Sequence, residues 1–130
     1  MVVCDSHILV WDALERDRLS ARVQETLTLA EDTATLACAD ISLWEIAMLI
    51  SRRRIPVDEP PQRFLCRLIE RRGIQVLPIT PEIAELAQSA LFTHGDPADR
   101  LIAATAWHHR ATLVTHDTKL QAIPGLKTFF

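Results

Sequence analysis

Four carboxylates, Asp5, Glu45, Asp99 and Asp117, lie where apolar strand-like runs give way to helix-like runs. Their contexts are VVCDSH, ADISLWEIA, HGDPADRLIAATA and TLVTHD. If those runs are parallel strands of one sheet, their carboxyl ends open on one edge. In open α/β sheets that edge is where ligands bind. Gathered carboxylates need a counter-charge, and a hard divalent cation with oxygen ligands supplies it. The pattern points to metal-assisted phosphodiester chemistry.

Each acid also has a structural reading. Ser42 and Glu45 have capping-box spacing, with Glu45 reaching back to the helix start. Asp96 caps a helix, Pro97 follows at its first position, and Asp99 then suits the dipole from the third. Asp96 is a fifth candidate that would reach a metal through water. Asp117 fits an N-cap or a turn. Asp5 is hardest to explain this way, because it directly ends a buried strand. Ser6 and Thr115 flank two of the acids; their hydroxyls either orient a ligand or bond locally to backbone.

These residues need elements to position them. Strands are predicted at the VVC run, at Ala34 to Ala37, Ile74 to Leu77, Thr112 to Thr115 and Leu126 to Phe129. Helices are predicted over His7 to Leu14, Leu19 to Ala30, Ser42 to about Arg53, Pro61 to Arg72, Thr80 to about Leu91 and Asp96 to about His109, with a helical turn from Asp117. Gly73 is a natural helix C-cap. Strands alternating with helices imply a mostly parallel sheet covered on both faces, in an order the pattern alone does not reveal.

A length of 130 residues predicts one domain, spanning 1–130. No run is long and apolar enough for a membrane span, and no signal peptide is legible, so a cytoplasmic protein is expected. The net charge of -3 argues against non-specific coating of nucleic acid, which rests on neutralising phosphates. The basic residues cluster at Arg52, Arg53 and Arg54, and at Arg67, Arg71 and Arg72. The run from Arg52 to Arg54 reads as a solvated helix end or as an RNA-backbone contact. Arg100 is expected to pair with a neighbouring carboxylate. Cys4, Cys38 and Cys66 show no zinc spacing and are expected to be buried, reduced thiols. Trp11 with Leu14, and Trp44 with Met48 and Leu49, read as core or subunit interface. His7, near Asp5, is a candidate substrate contact, while His108, His109 and His116 are placed on exposed helix ends or loops.

The segments VVCDSHILVWD, ISLWEIAMLISRRRI, GIQVLPITPEIAELA and HGDPADRLIAATAWHHRATLVTHDTKL together resemble a PIN-domain ribonuclease, in particular the VapC-type toxins of type II toxin–antitoxin systems. The resemblance runs nearly end to end, and DPADRLIAATA followed by TLVTHD is its most specific part. It implies a three-layer α/β/α fold and an acidic quartet that binds Mg²⁺ or Mn²⁺ and cuts single-stranded or loop regions of RNA. On the matching positions, Asp5 and Asp99 would be direct metal ligands, and Glu45 and Asp117 would bind directly or through water. Ser6 stands where threonine is usual and keeps the hydroxyl. The resemblance also implies a VapB-like antitoxin; a homodimer is expected from the apolar stripes on the early helices. The competing readings are a catalytically inactive PIN-like interaction module and a receiver domain. The receiver is disfavoured because the central strand ends LPIT, without an acid.

Overall fold

The strand residues alternate between two separate cores, and that alternation defines the architecture. In the computed structural model, which describes residues 1–130, five strands form one sheet: β1 (Val2–Cys4), β2 (Leu36–Ala39), β3 (Gln75–Leu77), β4 (Thr112–Val114) and β5 (Thr128–Phe129). Side chains along a strand point to opposite faces. Accordingly Cys4, Leu36, Cys38 and Val114 enter one core, while Val3, Ala37, Ala39, Leu77 and Leu113 enter the other. Both faces are buried, which is why these strands read as apolar runs rather than alternating ones.

The first face is covered by α1 (Ser6–Leu14), α2 (Ala21–Asp32), α3 (Asp40–Ser51) and α4 (Pro61–Arg72), and the second by α5 (Pro81–Leu86), α6 (Pro97–His108) and α7 (Thr118–Gln121). The result is a three-layer α/β/α structure. The strand order is β3-β2-β1-β4-β5 and every pairing is parallel. Starting from β1, the chain winds outward through β2 to β3, then crosses to the far side for β4 and β5. The order therefore reverses between β1 and β4, where Val3 lies opposite Leu113. A crevice opens beyond the carboxyl ends of the strands at such a switch point.

Several predicted boundaries move, each for a local reason. Residue Ala34 ends α2 in the left-handed conformation (φ 55), with the Thr35 amide donating to the Ala30 carbonyl. The second strand therefore starts at Leu36, later than predicted. Helix α3 starts at Asp40, with Ala39 as its N-cap, not at Ser42. Its first residue is tied down by the Ile79 amide, which donates to Asp40 Oδ2 at 3.0 Å. Helix α5 stops at Leu86 because the chain tightens there, with Gln88 and Ser89 amides donating to Glu85 and Leu86, and brings Phe92 into the core edge-on to Trp107. Gly73 caps α4 at φ 60, as expected. Cys4 and Cys38 are buried, but Cys66 is exposed on α4, contrary to expectation. Trp44 and Leu14 are surface residues rather than core. No helix is long and apolar enough to cross a membrane.

Candidate active site

The switch-point crevice is lined by Asp5, Glu45, Asp96, Asp99 and Asp117 together. Asp5 leaves β1 and caps α1. Its Oδ1 accepts from the Ser6 amide at 2.7 Å, and its Oδ2 accepts from the Thr115 hydroxyl, also at 2.7 Å. Thr115 follows β4, the strand beside β1, so this bond spans the switch point. The Thr115 hydroxyl in turn accepts from the Asp117 amide at 3.0 Å. One buried threonine thus ties two of the four acids together.

Glu45 occupies the second turn of α3, a helix that packs against both α1 and α6. The capping-box reading fails, because the helix begins two residues before Ser42 and both Ser42 and Glu45 are buried inside it. The side chain instead reaches Asp5 and Asp99: one carboxylate oxygen from each of the three lies within 4.8 Å of the others. The Ser6 hydroxyl faces Glu45, yet neither Ser6 Oγ nor Glu45 Oε1 completes a hydrogen bond. A buried carboxylate oxygen without a donor is costly. A cation bound among these three carboxylates would satisfy it, so the residues fit a hard divalent ion with oxygen ligands.

Asp99 is the third residue of α6, as the Asp96-Pro97 signal predicts; the Asp96 side chain accepts from the Ala98 amide at 2.9 Å. The electrostatics are not those of a helix-terminus acid. Burial and the neighbouring Asp5, Asp96 and Glu45 charges push the Asp99 carboxyl up to about 7, against the lowering effect of His94. Burial also raises Asp5, offset in part by the Thr115 and Ser6 hydrogen bonds. Burial raises Glu45 too, opposed by Ser6 and reinforced by Asp5 and Asp96. Three adjoining acids with raised pKa values in a crevice make it a functional-site candidate on physical grounds.

Asp117 sits on the other side of Asp99 and is joined to it by a residue the sequence reading missed. His94 Nε2 lies 2.9 Å from Asp117 Oδ2 and 3.2 Å from Asp99 Oδ2. Its Nδ1 accepts from the Asp96 amide at 3.0 Å, so the ring proton sits on Nε2 and points at the two carboxylates. His94, Asp99 and Asp117 form a compact group, but in this tautomer His94 is a donor to the acids and not a metal ligand. Burial raises Asp117, but the hydrogen bonds from His94 and the Lys119 amide outweigh it and hold this carboxyl below its usual value. The quartet is therefore a close triad, Asp5, Glu45 and Asp99, with Asp117 clipped to it through His94 and Thr115.

Other candidates divide. His7 and His116 are exposed and line the same cleft, and Arg54 forms part of its wall. His108 is exposed at its helix end, as expected, while His109 is half-buried. Arg100 forms no ion pair, contrary to expectation, and its Nε is buried without a partner. Arg67 pairs with Glu59 in the loop before α4, and Arg72 pairs with Asp12 and Glu31, tying α4 to α1 and α2.

This fold and acidic crevice define a class. Residues 2–126 match the PIN domain, and the chain belongs to the PIN-domain family. Ribonuclease VapC22 of Mycobacterium tuberculosis (strain ATCC 25618 / H37Rv) is 38% identical over 122 residues, covering 93% of this chain and 90% of that relative. Among solved structures, VapBC2 from Rickettsia felis bound to a DNA fragment from their promoter aligns with a TM-score of 0.71 at 24% identity, over 99% of this chain and 98% of that one. DNA-bound VapBC from Salmonella typhimurium aligns at 0.69 and 17% identity, over 98% and 96% of the two chains. At these identities the solved structures speak for the fold, a PIN-type α/β/α sandwich.

Proposed function

We propose that this protein is a divalent-metal-dependent endoribonuclease acting as the toxin of a type II toxin–antitoxin pair, with residues 1–130 working as one PIN domain in the cytoplasm. The observation that carries the reading is the triad of Asp5, Glu45 and Asp99, with one Glu45 oxygen buried and unpartnered. The VapC22 relative supports RNA as the substrate. An inactive interaction module is not favoured, since it has no use for so costly a cluster of buried charge.

Asp5 and Asp99 would be direct ligands of Mg²⁺ or Mn²⁺, and Glu45 would bind directly or through water. An ion held there supplies positive charge to the scissile phosphate and makes an attacking water more acidic. Thr115 and Ser6 fix the Asp5 oxygens. Asp117, kept ionised by His94 and the Lys119 amide, accepts a hydrogen bond from the attacking water and orients it. The water oxygen bonds to phosphorus as its proton passes to Asp117, one ester P–O bond breaks, and the leaving oxygen takes a proton from solvent. The VapBC neighbours support a VapB-like antitoxin as partner; it would lie across the cleft, and the exposed Trp44 would face the antitoxin or a second copy of the chain.

The test is cleavage of RNA by purified protein in Mg²⁺ or Mn²⁺, then in excess chelator, with co-expressed antitoxin relieving growth arrest. Cleavage that persists in chelator would overturn the metal mechanism.

A further inference from the structure

The crevice does not end at the carboxylates. It continues along α1 as a cleft of about 690 Å³ whose far end is built from different chemistry, lined by Trp11, Arg18, Arg54 and His116. Trp11 meets His116 edge-to-face at 5.5 Å, and the Arg18 guanidinium lies 4.2 Å from the centre of the Trp11 ring. Arg53 takes the left-handed conformation (φ 53) just past α3, and Arg54, next along, reaches the cleft wall. Arg54 is exposed and pairs with no carboxylate, unlike Arg18, which pairs with Glu15 at 3.2 Å.

We propose that this end of the cleft is a nucleotide subsite: an unpaired RNA base stacks on the surface formed by Trp11, Arg18 and His116, while Arg54 takes a phosphate next to the scissile one. The inference rests on the endoribonuclease reading and adds to it which strand features the protein holds. The cleft is continuous, so a strand with its scissile phosphate at Asp5 and Asp99 extends directly towards these side chains. Its volume falls within the range of about 300–1,000 Å³ that small-ligand pockets take. Aromatic rings and guanidinium planes accept any base by stacking, and a lone cation accepts a phosphate. In an acidic chain, an unpaired arginine beside an aromatic surface in the acidic cleft fits a polyanion with π-faces. A base in a duplex cannot leave its stack without cost, so the subsite agrees with the single-stranded or looped RNA that the resemblance implies and adds which side chains hold it.

The test uses a labelled single-stranded oligoribonucleotide, its duplex and a version with one abasic position, with anisotropy read in chelator so that the probe survives. His116→Ala and Trp11→Leu should weaken binding by about five- to a hundredfold between them, the usual scale of an aromatic platform. Arg54→Gln should lower the slope of log affinity against log salt by about 0.7, one phosphate contact on a single strand. The abasic strand should bind the wild type more weakly than the intact strand, and Trp11→Leu should erase that difference. With metal, these variants should raise KM more than they lower kcat. Trp11 is half-buried against the core, so exposed His116 and Arg54 keep the test decisive if Trp11→Leu fails to fold. Affinity within twofold of wild type in both His116→Ala and Arg54→Gln, with an unchanged salt slope, overturns the subsite. So does loss of a protein partner from these variants while RNA binding persists. If the wild type cuts RNA and the variants cut it with unchanged KM, only the subsite fails. If the wild type neither binds nor cuts RNA, the endoribonuclease reading itself fails.

Discussion

Replacing Asp99 by Asn should make the metal-free protein more stable at pH 8, although Asp99 occupies a favourable helix position. Two effects compete. An acid at the third position of α6 gains about 0.3–1 kcal/mol from the helix dipole, and Asn forfeits that. Against it stand burial of the charge, the larger effect, and crowding by Asp5, Asp96 and Glu45; the Asp5 and Glu45 oxygens lie within 4.8 Å. The rise of the Asp99 carboxyl from 3.8 to about 7 sets a ceiling of roughly 4 kcal/mol, at about 1.4 kcal/mol per pH unit. Partial exposure and relief through protonation of the neighbours reduce this to about 2–3 kcal/mol. Burial and crowding together win, and the net gain is about 1–2 kcal/mol, a Tm rise of roughly 4–8 °C for a chain of this length.

The pH dependence follows with a definite sign. The folded pKa lies above the unfolded value, so between about pH 4 and pH 7 the folded state binds more protons. Wild-type stability in chelator therefore falls as pH rises through that window and levels off above it. Asp99→Asn loses this part of the slope and keeps what the raised Asp5 and Glu45 contribute. The variant's advantage should be smaller at pH 5 than at pH 8 and vanish only below about pH 4. Metal reverses their order: at a hundredfold over the dissociation constant the wild type gains about 2.7 kcal/mol, and the variant loses most of that gain. Thermal unfolding in chelator and across Mg²⁺ and Mn²⁺ titrations, at both pH values, reads all of this. A variant less stable than wild type at pH 8 in chelator, with equal gains from metal, would make Asp99 a helix-terminus residue and nothing more.

Glu45→Gln keeps the side chain's shape and should lower RNA cleavage on the order of a hundredfold or more, with a matching loss of metal-induced stabilisation; activity within threefold of wild type would remove Glu45 from the site. Thr115→Val takes the hydroxyl donor from buried Asp5 Oδ2 and should cost about 1–3 kcal/mol, more at pH 8 than at pH 5 because protonation relieves it, as denaturant titrations at the two pH values would show. Nitrogen NMR of the metal-free protein should find His94 protonated at Nε2 and bare at Nδ1; the opposite tautomer would make it a metal ligand. Arg110→Gly should stabilise by about 0.5–1 kcal/mol, since Arg110 takes the left-handed conformation (φ 53) that costs a side chain about 1–2 kcal/mol, less the extra freedom glycine gives the unfolded chain.

What was legible in the chain follows from how local each signal is. Asp96-Pro97 and Thr80-Pro81 announce helix starts because cap and proline act within one turn, and both caps form as predicted. Helices α2, α3, α4 and α6 are all followed by a left-handed residue: Ala34, Arg53, Gly73 and Arg110. Only glycine advertises that conformation, so only α4 carries a residue-type stop signal, although the predicted ends of α2, α3 and α6 fall within about two residues of those observed. Undetected turns at Ala34 and before Phe92 displaced β2 and overextended α5. The strand order was out of reach because no local feature records the crossing from β3 to β4, although that crossing creates the crevice.

The site was half legible for the same reason. Its acids are recognisable one by one, since each stands near the start of a helix; α1, α3 and α7 follow strands, and a parallel sheet sends such junctions to one edge, whereas α6, which carries Asp99, follows α5 and a loop and not the strand its context predicts. Their division of labour is not. Glu45 reads as a cap until the helix is found to start at Asp40, after which no local role remains for it. His94 carries no periodic or capping signal. It stands on a loop, and its importance depends on three distances set by three segments: the Asp96 amide behind it, Asp99 on α6, and Asp117 beyond β4. The backbone amide at Nδ1 settles the tautomer, and the tautomer decides between metal ligand and donor. A histidine beside two aspartates would otherwise read as a nitrogen-containing site suited to zinc. With its proton on Nε2, His94 would leave a bound ion to oxygen ligands alone, a set suited to hard cations such as magnesium, calcium or manganese rather than zinc.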